Sequence, residues 1–494
     1  MSKKIYRLHP VSAVITSAKA LKSMILPVVI IMITNGFNFS LDIHSQYFIE
    51  TVILFGIWGS AAVLALIGGV IKWRTFVYWF EEGELRVRYG LFVKKKRYIP
   101  FERIQSLNYH EGIFHRLFGL VKVQVETAGS KNDKPEAELT AILKSEANTI
   151  ELEMQRVKVQ EANFNDLGSV ITSAVETKAP VIYQMSVRDL MVLATTSGGV
   201  GVVLSGLVAI LFQFSDIIPY EAVFHELEDF VKIGTFLVAL TVIFGLFVAW
   251  LLSVVITLVN YYEYTVRIEE EKLIITTGLL EKKQITLPLN RIQGIRIVEN
   301  PVRQLIGFAT VVVESAGGNG GKGGDKKIAL FPLIKKVDCV QYLNVILPDS
   351  NWAPTFNRAP KRARAFFYRI DFVWLVPVIV VCSYFFYPYG FLSFLLVPLL
   401  ILLGVWKWKT AGYMLDDKQL IMQYRLFSRI TFFMDKKRIQ SLQSRQTYLQ
   451  KRKNIMSVKA TVMSGITGTT GNVQNLAQQD VEEIFTWYEH KIKN

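Results

Sequence analysis

ERIQSLNYHEGIFHRLFGLVKVQVETAG, residues 102–129, decides the fold because its pattern returns twice along the chain. The second copy, NRIQGIRIVENPVRQLIGFATVVVESAG, occupies residues 290–317, and KRIQSLQ at 437–443 begins a weaker third copy. Self-similarity over such a length is the signature of a repeat architecture and has to be considered before other patterns. The chain is therefore one module used three times.

The copies align at constant spacing. Arg103 is matched by Arg291 and Arg438, which lie 188 and 335 residues further along the chain. The same two offsets align other positions, namely Leu85 with Leu273 and Leu420, Leu91 with Leu279 and Leu426, and Glu126 with Glu314 and Thr461.

Composition indicates a membrane protein. At 494 residues the chain has room for about three domains. Apolar residues make up 51% of it, aromatic residues 12%, and the net charge is +15, while the mean hydropathy is +0.30. A positive excess suits either nucleic acid or an anionic membrane surface, and the apolar runs favour the membrane. The two cysteines, Cys339 and Cys382, provide neither a disulfide framework nor a metal knuckle.

Six apolar runs occur in pairs and predict three membrane hairpins. The runs cover residues 23–34 and 51–71, 190–214 and 232–259, and 372–387 and 389–406. Most approach or exceed the roughly 20 residues that cross a bilayer, although the third pair is short. Lys and Arg are concentrated in the N-terminal segment and after each pair, whereas the loop at 35–50 has none. By the positive-inside rule, the modules and both termini are expected in the cytoplasm.

The apolar cores of these runs contain no Asp, Glu, Lys, Arg or His. Ion-coupled transporters normally place such groups near the middle of the bilayer, so a pump or proton-driven carrier is disfavoured. Small residues recur at helical spacing, for example Ala61, Ala65 and Gly69, and predict close helix packing.

Each module reads as short antiparallel strands followed by an amphipathic helix. In the first copy, TFVYWF, ELRVRYG, LFVKKKRYIP and RIQSLNYH are rich in β-branched and aromatic residues and are separated by turn residues. A short helix near 112–118, two further strands and a helix over 144–156 follow. The second copy repeats this order, and only the sixth strand of the third copy is not evident. Each module is therefore predicted to be a small β-barrel or sandwich closed by a C-terminal helix.

Two-span hairpins, each followed by an RIQ-containing β module, resemble the bacterial pleckstrin-homology-like (bPH2) multi-pass membrane proteins of the YdbS/YdbT type. The resemblance covers nearly the whole chain, in the same order. It implies a pleckstrin-homology-like (PH-like) fold for each module and implies no particular activity and no cofactor.

The predicted fold class is six membrane helices in three hairpins plus three cytoplasmic PH-like modules. The corresponding segments are a basic N-terminus with hairpin 1 (1–72), module 1 (73–160), a linker (161–189), hairpin 2 (190–259), module 2 (260–350), a basic linker (351–370), hairpin 3 (371–407) and module 3 (408–494).

The RIQ motif is expected to be a strand whose isoleucine faces the core, which buries Ile104, Ile292 and Ile439. Arg103 and its equivalents then face outward. They are expected either to tie the strand to a neighbour or to the membrane-proximal linker, or to contact a ligand.

Two motifs resemble catalytic signatures and are not interpreted as such. HEGIFH, residues 110–115, resembles a zinc-protease motif, but His110 and His115 would lie about 140° apart on a helix. Gly318, Gly320 and Gly323 satisfy a dinucleotide-binding pattern, but they join a strand to a strand, so a hairpin loop is expected. No catalytic, cofactor or metal residues are assigned.

Basic residues are the candidates for contact with anionic lipid. The first hairpin tips of the modules read EEGE, EEEK and DDKQ, which argues against phosphoinositide binding there. The candidate contacts are Lys94, Lys95 and Lys96, next to Arg97, and Arg358, Lys361, Arg362, Arg364 and Arg369 before hairpin 3. Each such cation near an anionic leaflet contributes about 1 kcal/mol. For the stretch before hairpin 3, setting the topology and making general lipid contact are favoured over recognition of a specific headgroup.

The sequence predicts a non-enzymatic multi-pass scaffold or interaction protein of the cytoplasmic membrane. A role in envelope stress or in resistance to membrane-active peptides is a hypothesis. Two alternatives stay open: a transporter or lipid-handling protein, and a module that senses anionic lipid. The expected partners are the bilayer and another membrane protein, such as a paired family member, with a homo-oligomer as a further option. No nucleic acid is expected.

Overall fold

The computed structural model describes residues 4–34, 44, 48–127, 135–165, 180–197, 235–269, 271–316, 328–385, 387, 389–464 and 468–489. Each repeat contains seven strands. The first comprises β1 (Tyr6–Arg7), α1 (Val11–Thr34), α2 (Phe48–Thr75), β2 (Val77–Glu81), β3 (Glu84–Tyr89), β4 (Lys95–Pro100), β5 (Ile104–Glu111), α3 (Ile113–Leu117), β6 (Leu120–Thr127), β7 (Ala137–Leu143) and α4 (Lys144–Asn165).

The second repeat comprises β8 (Val181–Gln184), α5 (Val187–Thr196), α6 (Thr235–Tyr261), β9 (Thr265–Glu269), β10 (Lys272–Thr277), β11 (Lys282–Pro288), β12 (Ile292–Glu299), α7 (Pro301–Leu305), β13 (Phe308–Ser315), β14 (Ile328–Lys335) and α8 (Lys336–Ile346). The third comprises β15 (Asn357–Arg358), α9 (Phe366–Phe385), α10 (Leu396–Thr410), β16 (Gly412–Leu415), β17 (Gln419–Arg425), β18 (Arg429–Asp435), β19 (Ile439–Arg445), α11 (Tyr448–Lys451), β20 (Ile455–Val462), β21 (Thr469–Ala477) and α12 (Gln478–Tyr488).

The first strand of each repeat precedes the membrane-side helices and pairs with the strand that follows them. β1 aligns Tyr6 with Tyr78, β8 aligns Gln184 with Thr265, and β15 aligns Asn357 with Tyr413. The sequence reading placed the residues of β8 in the linker 161–189. Both ends of the helical segments are thus tied to one sheet.

Of the predicted barrel or sandwich, the barrel is not supported, because the sheets formed by the described residues are open and run from one module into the next. β7, β6 and β5 of module 1 continue through β11, β10 and β9 of module 2 to β8 in one seven-stranded sheet. A second seven-stranded sheet joins β14, β13 and β12 of module 2 to β18, β17, β16 and β15 of module 3 in the same way. Counted from the end of the membrane helices, the fourth strand of one module (β5 or β12) therefore pairs with the third strand of the next (β11 or β18).

The two junctions use equivalent residues in the same register. Glu111 lies opposite Lys282 in the first junction, and Glu299 lies opposite Arg429 in the second. The positions correspond at the offsets of the sequence repeat. Arg429 forms an ion pair with Glu299, which is 4% exposed at its side chain. The repeated sequence thus encodes a repeated joint.

A buried glutamate lies on the strand next to each junction strand: Glu126 on β6, beside β5, and Glu314 on β13, beside β12. Glu126 accepts hydrogen bonds from Ser106 Oγ (3.1 Å) and Asn108 Nδ2 (3.0 Å). Glu314, which is fully buried, pairs with Arg296. It also accepts hydrogen bonds from Ser464 (2.6 Å) and Thr469 (2.8 Å) of module 3. The module 2 carboxylate is therefore satisfied by both sides of the joint.

The isoleucines of the RIQ motif are buried, as predicted: Ile104, Ile292 and Ile439 are 1%, 7% and 6% exposed. The arginines differ according to whether a module precedes them. Arg438 donates to the carbonyl oxygen of Asn290 in module 2 at 2.8 Å. Arg291 is buried and attracted by Glu126 of module 1, although burial lowers its pKa. Arg103, in the first module, is exposed.

The described residues contain four helical segments that are long and apolar enough to span a membrane, so the six-span prediction is not supported. They are Thr51–Thr75, Ile243–Tyr261, Lys361–Phe385 and Gly390–Thr410. Residues 23–34 are only twelve residues of α1, which is shorter than a bilayer requires. Most of 190–214 lies outside the described residues. Its start belongs to α5, whose Leu190 and Leu193 are buried in the core of module 2.

The predicted close packing of small residues occurs in hairpin 1. Ser17 of α1 donates to the carbonyl oxygen of Ala65 at 3.1 Å. A Cβ atom on Gly69 would lie 2.6 Å from the carbonyl oxygen of Ala13. A side chain larger than hydrogen at position 69 would therefore push α1 away from α2.

Gly294 provides a test of the second junction. A Cβ atom at this position of β12 would lie 2.8 Å from Phe432 and 2.9 Å from the carbonyl oxygen of Phe433, both in module 3. We expect Gly294→Val to lower the free energy of unfolding by about 1–3 kcal/mol, as overpacking does, and to speed proteolysis between modules 2 and 3. The matched control is Gly112→Ala, whose Cβ would meet only His115 at 3.4 Å. Thermal unfolding in detergent is the measurement. Equal loss of stability in the two variants would contradict the close packing of modules 2 and 3 at the second junction.

Candidate membrane-contact site

In every module, the turn that joins the second and third strands after the membrane helix lies beside the end of that helix. These are the turns between β3 and β4, β10 and β11, and β17 and β18. We call the three turns the tips: residues 90–94, 278–281 and 426–428. In module 2, Leu279 N donates to Val259 O and Gly278 N to Tyr262 O, both at 2.9 Å. Val259 belongs to the last two turns of α6. Strands begin directly after the helices, so the tips are held at the level where the chain leaves the membrane segment.

The other two tips are fixed by aromatic contacts. In module 1, Tyr89 stacks on Phe76, which follows α2, with 5.9 Å between ring centroids. In module 3, the Arg425 guanidinium lies 4.5 Å from the ring centroid of Trp406 in α10 and donates to the carbonyl oxygen of Phe427 at 3.1 Å. Gly90 and Gly278 have φ values of +103° and +107°, which glycine adopts without strain.

The short helix after each fourth strand lies at the same end of the sheet as the tips. Because Glu111 at the end of β5 pairs with Lys282 at the start of β11, α3 lies beside the module 2 tip. Arg116 of α3 donates to the carbonyl oxygen of Leu279 at 2.9 Å. Likewise Asn300, the N-cap of α7, donates to the carbonyl oxygen of Thr196 at the end of α5.

Large apolar side chains on the tips and short helices are exposed. We call this set the apolar rim: Leu91, Phe92, Val93, Ile113, Phe114, Leu117, Phe118, Leu279, Leu280, Val302, Leu305, Ile306, Leu426, Phe427, Tyr448 and Leu449. Phe92 is 94% exposed, Leu305 86% and Phe427 64%. Exposed apolar patches of this kind mark interaction sites, and moving one such side chain into a lipid interface stabilises the contact by about 1 kcal/mol.

The sequence reading identified the basic residues but missed the apolar rim. Lys94, Lys95 and Lys96 follow Val93 directly and are exposed, so they lie at the edge of the rim. A signal for the rim was present, because Leu91, Leu279 and Leu426 occupy one repeat position beside a turn. A single leucine in a turn is common enough that it does not indicate exposure.

The basic residues before hairpin 3 have several roles in the structure. Arg358 donates to the carbonyl oxygen of Thr410 (3.0 Å) and to Gln423 (2.6 Å), which ties β15 to the end of α10. Arg362 donates to the carbonyl oxygen of Asn454 at 3.0 Å. Arg364 lies over Trp408 and Arg369 over Phe366, at 5.8 and 5.4 Å.

Lys361, Arg362, Arg364 and Arg369 are exposed at the start of the Lys361–Phe385 span. They lie at the end of the span that faces the modules.

The acidic turn of the β2–β3 hairpin lies at the end of the sheet opposite to the tips. In module 1, Arg86 bridges Glu82 and Glu84 at 2.7 and 2.9 Å. These residues are separated from the membrane helix by the length of β2, roughly 17 Å. The acidic hairpin and the apolar rim are therefore at opposite ends of the module.

The two histidines of HEGIFH contact different partners. His115 is buried and its Nε2 lies 2.9 Å from the carbonyl oxygen of Thr140. His110 Nδ1 lies 3.5 Å from Glu281 Oε1 across the first junction, and this hydrogen bond, with Lys283 nearby, lowers the pKa of Glu281 to about 2. Within the described ranges no group of three His, Cys, Asp or Glu side chains could hold a metal ion. The glycine loop at 318–323 lies outside them.

β modules that continue directly from membrane helices and carry an apolar rim at that end define a membrane-anchored PH-like repeat protein. The model of the bacterial PH domain family matches residues 22–158, 222–340 and 368–492, and the chain belongs to this family.

A relative in Bacillus subtilis (strain 168), the UPF0699 transmembrane protein YdbT, is 33% identical over 496 residues, covering 98% of both chains. The predicted resemblance is thereby confirmed. Neither the family description nor the name of the relative includes an enzymatic activity.

Contact of the rim with lipid can be measured with a polarity-sensitive fluorophore. In a Cys382→Ser background we expect a label on Phe92→Cys to be quenched by bilayer-bound quenchers after reconstitution. The control label on Glu102→Cys lies at the other end of β4, roughly 20 Å away, and should not be quenched. Cys339 does not interfere, because burial raises the pKa of its thiol to about 12. Equal quenching at both positions would show that the rim does not face lipid.

Proposed function

We propose that the chain is a non-enzymatic scaffold of the cytoplasmic membrane whose three PH-like modules form one rigid unit against the inner leaflet. The observation that carries this proposal is the continuity of the sheets through both junctions. Backbone pairing and buried carboxylates fix the modules relative to each other, and the apolar rim gives the whole unit a lipid-facing side. A unit of this kind is suited to holding other molecules in a fixed arrangement at the membrane.

The charge distribution supports the cytoplasmic orientation. Lys72 and Arg74 lie in the last turn of α2, and Lys407 and Lys409 in the last turn of α10. These ends adjoin the modules. Basic residues concentrated on one side of the membrane favour the cytoplasm for that side.

One alternative function has a specific structural observation in its favour. Lys94, Lys95 and Lys96 are exposed beside the tip that carries Phe92. Cations next to an inserting apolar side chain suit a sensor of anionic lipid. A transporter is less favoured, because the cores of the apolar runs contain no Asp, Glu, Lys, Arg or His.

Rigidity distinguishes these functions. Positions 102 and 437 are equivalent and exposed in modules 1 and 3. Spin labels on Glu102→Cys and Lys437→Cys, again with Cys382→Ser, should give a single narrow distance distribution in nanodiscs of any lipid composition. Adding Gly294→Val should broaden the distribution, because it opens the second junction.

Other distributions would support the alternatives. A mean distance that shifts when anionic lipid is added would favour lipid sensing. Two exchanging distances would favour a transport cycle and would contradict the scaffold.

For the biological role we propose protection of the envelope against membrane-active peptides and detergents. A strain lacking the protein should become more sensitive to pore-forming peptides. The wild-type gene should restore resistance, whereas a Phe92→Glu, Phe427→Glu variant should not, because charge on the rim opposes lipid contact. Glu82→Gln and Asp417→Asn, at the acidic hairpins, are the matched surface control. An unchanged minimum inhibitory concentration in the deletion strain would exclude this role and leave the scaffold proposal intact.

A further inference from the structure

Both junctions follow one charge rule. The module that contributes its third strand provides a cation at the start of that strand, Lys282 or Arg429. The module that contributes its fourth strand provides a carboxylate at the end of that strand, Glu111 or Glu299. Glu299 forms an ion pair with Arg429, whereas Glu111 lies opposite Lys282 in the strand register and forms its ion pair with Lys144 of module 1 at 2.9 Å. The arginine of the RIQ motif also contacts the preceding module: Arg291 is attracted by the carboxylate of Glu126, and Arg438 donates to the carbonyl oxygen of Asn290.

Module 1 has the cationic side of such a junction, and no other module pairs with it through the strands that the structure describes. By the repeat offsets Lys94 corresponds to Lys282 and Arg429, and Arg103 to Arg291 and Arg438. β4 pairs with β3 alone among the described strands. Residues 95–98 of β4 are exposed, whereas the equivalent 283–286 of β11 and 430–433 of β18 are half-buried or buried.

Module 3 has the strand that would form the acidic side of a junction, β19, but it lacks the two carboxylates. Gln446 occupies the position of Glu111 and Glu299, and Thr461 occupies that of Glu126 and Glu314. In the shared register Arg445 would lie opposite Lys95, and like charges directly opposite each other destabilise a strand pair. A second copy of this chain therefore does not supply what the β4 edge lacks.

We propose that the β4 edge binds the fourth strand of a PH-like module in a different polypeptide. That strand ends in a carboxylate at the Glu111 position, and the following strand carries one at the Glu126 position. Backbone pairing adds the strand to the sheet, and the two carboxylates meet Lys94 and Arg103. The partner would extend the scaffold by a fourth module, so this inference rests on the proposed function and names the class of its partner.

The first test uses the full chain in its native membrane. A photo-cross-linking residue at position 95 should form an adduct with a strand of another PH-like chain that has both carboxylates. Lys94→Glu with Arg103→Glu should lower the yield by about ten-fold, the size of effect that reversal of interface charges produces. The internal control is the same residue at position 283, which should cross-link within the chain near His110, its partner in the first junction.

Each outcome decides the question. An adduct with a second copy would overturn the choice of partner. No protein adduct at position 95, with the control at 283 positive, would show that the lysines only keep this edge strand from pairing. The distribution of distances between the spin labels at positions 102 and 437 would remain narrow in either case. Failure of this inference is therefore distinguishable from failure of the scaffold proposal.

The charge rule can also be tested with the purified protein alone. The wild type should remain a single copy in detergent. Arg445→Val, Gln446→Glu and Thr461→Glu together give module 3 the residues that module 2 has at the equivalent positions 298, 299 and 314. We expect this variant to associate head to tail. Lys94→Glu with Arg103→Glu, added to it, should restore the single copy. Self-association of the wild type, or none in the variant, would overturn the rule.

Discussion

The pairing of strands between modules is the constraint on which the remaining structure depends. A PH-like module with an open edge would expose a row of unpaired backbone groups. In this chain the edge of β5 is covered by β11 and the edge of β12 by β18. The same pairing orients the tips and short helices to one end of the assembly, so the apolar rim is a property of the joined modules. Separate modules on flexible linkers would have no common apolar side.

Electrostatics gives these joints their register. A carboxylate as buried as that of Glu314 loses several kcal/mol of hydration energy, which Arg296, Ser464 and Thr469 offset by ion pairing and hydrogen bonding. A shift of β18 by one residue would reverse the faces of its side chains. A change of register that moved Ser464 and Thr469 of module 3 away would leave the buried Glu314 carboxylate to Arg296 of its own module. The carboxylate therefore favours the observed placement of module 3 against module 2.

Repetition made much of the fold predictable. The matched offsets identified three modules, the buried isoleucines and most strands, since each weak local signal occurred in more than one copy. The joining of the sheets could not be predicted, because Glu111 and Lys282 look like ordinary surface residues in a sequence. β1 and β15 contain two residues each, which is too short for any periodicity. Charge indicated the basic residues of the candidate membrane-contact site, whereas its apolar residues are recognised by their exposure, which only the folded chain defines.

Joined sheets also govern how the protein is made. β5 is synthesised long before its partner, since 171 residues separate Glu111 from Lys282. At ribosomal rates of about 5–20 residues per second, the edge of β5 stays open for roughly 10 to 30 s. During that time the second membrane segment must also be inserted, with its two ends on the same side of the bilayer. Module 1 thus completes its folding only after insertion has succeeded, and biogenesis of this chain couples the two processes in sequence.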